Sequence, residues 1–582
     1  NLGIDYEMSP RFIPAQIRYK NDSFVPMNNF VSSSILGKLT FKPSSRFKLS
    51  LMNSFNQYQG SEWGEEGNFH KYSPDSRPTM RSENNFSSLF INYMLSSSSF
   101  MDFKFSYNQK ENGTYVYKNP LDARYVADEY SVAESGFLQG GHNKWHGSTE
   151  INDFNLKFDF NSQINSIHNL KFGFDNFYHD LSVRNYTIKD ANPDNPFIYI
   201  PTIDEGDTTT AYAEEYDVKS YEYSLYVQDK MEFSDMVINF GFRYDMFDPN
   251  TYYPSNYQDP DNSYYSSVCL PSVDQNGYLV DPEWMLPEEC NNSILRNIPL
   301  EAKSNSQISP RFALSYQIDN ALVRFSYGHF FQMPPLYAVY SNPYQRNTFL
   351  QHWNISSNDY QTILGNPNLD AEKTVNYEFG YWEEINSSMS YEIVVFNKDI
   401  YNLLTTTTIQ TENEVKYGLY TNKDYGNARG LELIFDYYNG PLSLTANYTY
   451  QHTKGIADSP QSSFDREGEN KDPLTRLLPL AWDQRHTFNL TFGYNQEKYG
   501  ATLSAYFNSG TAFTFEPISE NALAEINLEP NNAYKPSNYL MNLSSYYNFP
   551  SINSRITLEV YNLFDTLNEY GVNSQTGRAY SA

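Results

Sequence analysis

Tyr221-Glu222-Tyr223-Ser224-Leu225-Tyr226-Val227-Gln228-Asp229 decides the fold, together with Met236-Val237-Ile238-Asn239-Phe240-Gly241-Phe242-Arg243-Tyr244 beyond a turn around Phe233–Asp235. A strand's side chains alternate between its two faces. Tyr221, Tyr223, Leu225 and Val227 therefore share one face, and Glu222, Ser224, Tyr226 and Gln228 the other. The second strand sets Met236, Ile238, Phe240, Phe242 and Tyr244 against Val237, Asn239, Gly241, Arg243 and Asp245. Each strand thus has an apolar face and a mostly polar one. A chain that repeats this unit almost end to end predicts a large antiparallel barrel that spans a membrane with strands.

The repeats are legible along most of the 582 residues, as about eighteen strands. Candidate hairpins pair 32–41 with 47–58, 87–93 with 100–108, and 152–160 with 169–178. Further pairs join 221–229 to 236–244, 308–316 to 322–330, and 375–382 to 388–397. The last join 431–438 to 442–450, 485–494 to 501–507, and 538–547 to 555–564. Turns inside the hairpins are short, as at Asn439–Pro441, whereas connections such as 248–304 and 334–373 are long and polar. That asymmetry fits short periplasmic turns and long extracellular loops. A β-propeller would need four-stranded blades of even length, and no such period is present. Apolar sets such as Met101, Phe103, Phe105 and Tyr107 are expected to face lipid, and Asp102, Lys104, Ser106 and Asn108 the lumen.

Composition agrees. Mean hydropathy is −0.64 and no apolar stretch is long enough for a transmembrane helix, which leaves a β-barrel open because alternation dilutes its apolar residues. The 52 Tyr and 40 Phe suit aromatic girdles at both membrane interfaces. A net charge of −28 repels phosphate backbones and argues against nucleic acid as a partner. Cys269 and Cys290 lie in one long connection placed outside the cell; they read as a loop-closing disulfide, with two free thiols as the alternative.

Topology sets a further expectation. The strand at 32–41 enters a short turn, so it runs toward the periplasm and needs a partner before it; residues 1–29 read as an extracellular loop. Arg555–Phe564 runs outward and needs a returning strand, of which Gly577–Ala582 would be only the beginning. Export also requires a signal peptide, which the sequence from Asn1 does not show. The reading is of a barrel that continues beyond both ends.

Several segments resemble the TonB-dependent outer-membrane receptors. Gly365-Asn366-Pro367-Asn368-Leu369-Asp370-Ala371-Glu372-Lys373 with Asn376-Tyr377-Glu378-Phe379-Gly380-Tyr381 is similar to the family's signature "NP.L.PE....YE.GY", with Ala371 where Pro is usual. Tyr226-Val227-Gln228-Asp229, Ser309-Pro310-Arg311 with Phe331-Gln332-Met333-Pro334, Gly430-Leu431-Glu432 and Tyr561-Asn562-Leu563-Phe564-Asp565 follow in the family's order. The resemblance implies an all-β transmembrane antiparallel barrel of which residues 1–582 supply about strands 4 to 22 of 22, the last truncated after Gly577. It also implies an N-terminal plug with a TonB box outside this sequence, and active uptake of a scarce nutrient such as a ferric siderophore, cobalamin, oligosaccharide or peptide. Partners would be outer-membrane lipid, the TonB complex and the nutrient, and a surface lipoprotein is compatible with such an assembly. The alternatives are a passive porin-like channel and a surface adhesion barrel.

No catalytic arrangement, cofactor motif or metal set stands out, so an enzyme is not expected. His142 and His146 flank Trp145 in a Gly-rich stretch and read as surface-loop residues rather than ligands. Asp274-Gln275-Asn276-Gly277 reads as an Asn-Gly turn, lacking the ligand spacing of a calcium loop. Arg243, Arg311 and Arg324 point inward, where they would hold a plug or contact an anionic substrate. Tyr252, Tyr253, Tyr257, Tyr264 and Tyr265 are candidate extracellular aromatics that stack on a ligand or pack the loop.

Overall fold

A computed structural model describes residues 2–10, 16–19, 23–26, 29–61, 78–126, 142–191, 199–203, 214–258, 299–341, 363–411, 416–456, 459–460, 462, 464, 476–516, 529–569 and 571–581. Alternation produces strands wherever the sequence predicts them, except that the last, expected over 555–564, ends at Val560 and 561–564 form a turn. In chain order these are β1 Leu2–Pro10, β2 Asn29–Ser44, β3 Phe47–Ser61, β4 Thr79–Met94, β5 Ser99–Tyr115 and β6 Trp145–Gln163. Then come β7 His168–Thr187, β8 Glu214–Glu232, β9 Met236–Asp248, β10 Asn305–Ile318, β11 Ala321–Gln332, β12 Glu372–Asn386 and β13 Met389–Gln410. The wall continues with β14 Lys416–Asn439, β15 Leu442–Gly455, β16 His486–Asn495, β17 Tyr499–Asn508, β18 Asn538–Phe549 and β19 Ser554–Val560. Each is hydrogen-bonded antiparallel to the next, from β1 against β2 to β18 against β19.

Three further details differ from the sequence reading. Leu2–Pro10, expected as loop, is a strand that pairs with Asn29–Gly37 and supplies the partner that topology required. At the other end, Ala579–Tyr580 pairs with Gly571–Val572, so Gly577 sits in a small hairpin with φ +66° rather than opening a wall strand. The connection 334–373 contains a five-residue helix, α1 Leu336–Tyr340, where no helix was expected.

Facing follows the predicted parity. Leu39 (70% exposed), Leu225 (56%) and Phe379 (51%) stand on the outer face, an arrangement that only an apolar solvent stabilises. Outward rings also touch across strands, as Phe103 on Phe158 at 4.7 Å and Tyr107 on Phe154 at 4.6 Å. The inner face is knitted by polar side chains: Asn92 donates to Asp102 at 2.6 Å, and Lys157 pairs with Asp175 at 3.1 Å. His179 bridges Asp153 at 2.7 Å and Glu222 at 2.9 Å. Many strands far exceed the 9–11 residues that cross a bilayer; β14 has 24 and β13 has 22.

Candidate functional site: the lumen wall and its extracellular knot

Among the described residues, the larger buried apolar cluster lies at the end of the long connections, on the inner face. Leu181 and Val183 of β7, Tyr216 of β8 and Phe247 of β9 are buried against Ala338, Val339 and Tyr340 of α1, with Leu369 and Leu404. Inner positions are polar lower down and apolar here, so the sequence directs the segment that carries α1 to fold inward onto the wall. The Tyr340 hydroxyl donates to the Pro249 carbonyl at 2.6 Å. Burial pushes the phenols of Tyr216 and Tyr340 well above the ordinary tyrosine range.

Residues of the family signature tie this core together. The Gly365 amide donates to Ser341 O at 2.7 Å and the Asn366 amide to Ala338 O at 2.8 Å. A Cβ at Gly365 would meet three backbone atoms at 2.7–2.9 Å, so glycine is required for that approach. Asn366 donates from its side chain to Tyr420 O at 2.8 Å and accepts from the Asn368 amide at 3.0 Å. Leu369 is 2% exposed, and its carbonyl accepts from the Asn305 side chain. Pro367 lies between these two anchors, in the bend that precedes β12. Glu372 accepts the Leu404 amide at 3.2 Å, and burial raises its carboxyl above the ordinary value of 4.5. Tyr377 turns outward against Tyr327 at 5.2 Å between ring centres. Glu378 turns inward and accepts from Asn376 at 2.8 Å and Ser326 at 3.3 Å. Gly380 leaves room for Arg324, whose Nε lies 3.3 Å from where a Cβ would stand. The signature is thus a structural knot.

Below the knot, a cavity of about 480 Å³ opens in the lumen wall between β8, β9, β10 and β11. Its inward lining includes Lys171, Tyr226, Arg243, Arg311 and Asn376. Arg243 donates through Nε to Asp245 at 2.7 Å, and the same carboxylate oxygen accepts the Ser224 hydroxyl at 2.7 Å. The Arg311 guanidinium lies 4.8 Å above the Phe330 ring, with no carboxylate within ion-pair distance among the described residues. The structure therefore brings Arg243 and Arg311 to one cavity. Arg324 is elsewhere, near the short turn at Asp319–Asn320, paired with Glu392.

The loop tyrosines divide. Tyr252 and Tyr253 lie on a short strand that pairs with Pro299–Glu301, and Tyr252 is 51% exposed. Tyr257 packs into the knot: its hydroxyl reaches Asn366 at 3.4 Å and its carbonyl accepts from Tyr417. Tyr264, Tyr265, Cys269, Cys290 and the 274–277 turn lie outside the described residues. His142 and His146 correct the surface-loop reading, because both are buried. His146 is stacked between Tyr115 and Tyr186 at 4.9 and 5.1 Å, which the alternation of β6 would have indicated had that strand been extended upward. The alternation also marks His179 as inward, and so could have found its two carboxylate partners.

A long antiparallel wall with a polar inner face and an apolar core folded onto it is the architecture of a large membrane β-barrel. The family model described as TonB dependent receptor-like, beta-barrel matches residues 28–563, and the chain belongs to that family. Among solved structures it resembles the outer membrane transporter YddB from Escherichia coli at 13% identity and a TM-score of 0.63, over 100% of this chain and 71% of that one. The FrpB iron transporter from Neisseria meningitidis (F3-3 variant) is similar at 13% identity and 0.57, over 97% and 72%. The siderophore receptor PirA from Pseudomonas aeruginosa follows at 13% and 0.51, over 92% and 68%. Identities this low show a shared fold.

Proposed function

We propose that the protein lies in the outer membrane of a Gram-negative-type bacterium and actively imports a scarce nutrient, driven by the TonB complex through a plug in the lumen. The observation that carries this reading is the cavity with Arg243 and Arg311, which places cationic donors inside a receptor-family wall directly below the knot. A guanidinium without a carboxylate partner suits an anionic group, from a plug side chain or from the substrate. The iron and siderophore transporters among the fold relatives make metal chelates the first class to test. The proposal does not include catalysis. Uptake of labelled ferric chelates, cobalamin, oligosaccharides and peptides by cells with and without the receptor tests it. Receptor-dependent accumulation should stop when the proton gradient is collapsed or TonB is deleted. Accumulation that persists under both conditions would identify a passive channel instead.

A further inference from the structure

The outward face of β11–β16 changes character at one level. Below it stand Phe379, Val395, Leu433 and Tyr450, all exposed and apolar or aromatic. At it, the register sets Tyr377 beside Asn397, Asn397 beside Arg429, and Arg429 beside His452. One step higher, His329, Val375, Asp399, Asn427 and Lys454 form the next row. In the row below both, His486 lies opposite Tyr450, with its Nδ1 2.8 Å from the Tyr448 hydroxyl. In a chain of net charge −28, the upper two rows place Arg429, Lys454 and two histidines against a single carboxylate, with His486 one row below. That carboxylate, Asp399, already accepts the Tyr425 hydroxyl and the Asn427 side chain. Arg485 nearby is matched by fully buried Asp483 at 2.7 Å, whereas Arg429 and Lys454 have no ion-pair partner among the described residues.

We propose that this patch binds the phosphate of a net-anionic, phosphate-bearing lipid in the outer leaflet. Two features select an amphiphile. The patch continues an apolar belt without a gap, since Arg429 stands two residues before Leu431, about 7 Å along the strand. A molecule that touches both must carry acyl chains beside Leu431 and Leu433 and an anionic head beside Arg429 and Lys454. The exposed rings of Tyr377, Tyr401 and Tyr450 mark the interface between the two environments. Charge complementarity then supplies the contact, with guanidinium and ammonium both suited to phosphate oxygens.

The test is native mass spectrometry of the full chain in mixed micelles, titrated with phosphatidic acid, phosphatidylcholine or inorganic phosphate. Arg429→Ser/Lys454→Ser should weaken phosphatidic acid retention by roughly 30-fold, about fivefold for each cation lost. Lys42→Ser/Arg46→Ser, which removes two cations at a turn on the opposite rim, should leave it unchanged. Phosphatidylcholine should bind all three proteins alike. Retained heat-modifiable mobility on gels checks folding, and Lys454→Ser alone gives the reading if the double variant unfolds. Equal retention by parent and patch variant overturns the proposal, as does equal loss in the opposite-rim control. Inorganic phosphate that competes as strongly as the lipid would reduce the patch to a simple anion site and overturn it too.

Discussion

Glu372 is a carboxyl whose burial disfavours the charged form. Burial raises its carboxyl, so it adds to stability fully below the ordinary carboxylate value of 4.5, and that contribution is lost as pH rises through the folded value. Glu372→Gln keeps an acceptor for the Leu404 amide and removes the charge. Its melting temperature in detergent should match or exceed the parent's at pH 7, with the advantage gone at pH 4. An advantage that is the same at both values would mean the charge is irrelevant. Gly365 makes the opposite demand, for space: Gly365→Ala should cost about 1–3 kcal/mol of knot stability, read as faster amide exchange across 336–341. Inward-facing Arg243 and Arg311 were legible from alternation alone. The roles of Tyr257 and Gly365 were not, because both depend on contacts between segments far apart in the chain.

At the scale of single strands, the lower halves of the hairpins could be read almost residue by residue. Lipid on one side and a wet lumen on the other impose a strict period of two. The upper ends could not, since above the bilayer both faces meet water or other loops and the polarity contrast fades. That is why β6 was read from Asn152 although it begins at Trp145, and why His146 was assigned to a loop. Parity itself has a direct test. Leu225→Arg, mid-belt and outward, should destabilise the protein by about 2–4 kcal/mol in a lipid-based unfolding titration, whereas inward Gln228→Arg should cost well under half of that. Equal penalties would mean that the facing is wrong. The knot has its own measure: Leu369→Ala should cost about 2–5 kcal/mol locally while the lower wall keeps its exchange protection.

Across the whole molecule, the family and the all-β wall were evident from ordered motifs, and the inward fold of α1 was not, because its few residues carry no period of their own. The overall charge of −28 sets the field that a charged ligand meets on approach. Capture of an anionic ligand should therefore speed up as salt is raised, and capture of a cationic one should slow, which stopped-flow binding would resolve. Rates for both that do not change with salt would show that local charges override the field. The length of the strands has a mechanical meaning. A 24-residue strand tilted by about 45° rises roughly 55 Å, against a hydrocarbon belt of about 25 Å. Along β13 and β14 about half of the strand therefore stands clear of the bilayer, cross-braced by backbone hydrogen bonds, whereas ten-residue β16 and β17 do little more than cross it. Substitutions near the top of that tall pair are therefore decoupled from the anchorage below, so the rim and the membrane seat are free to change separately.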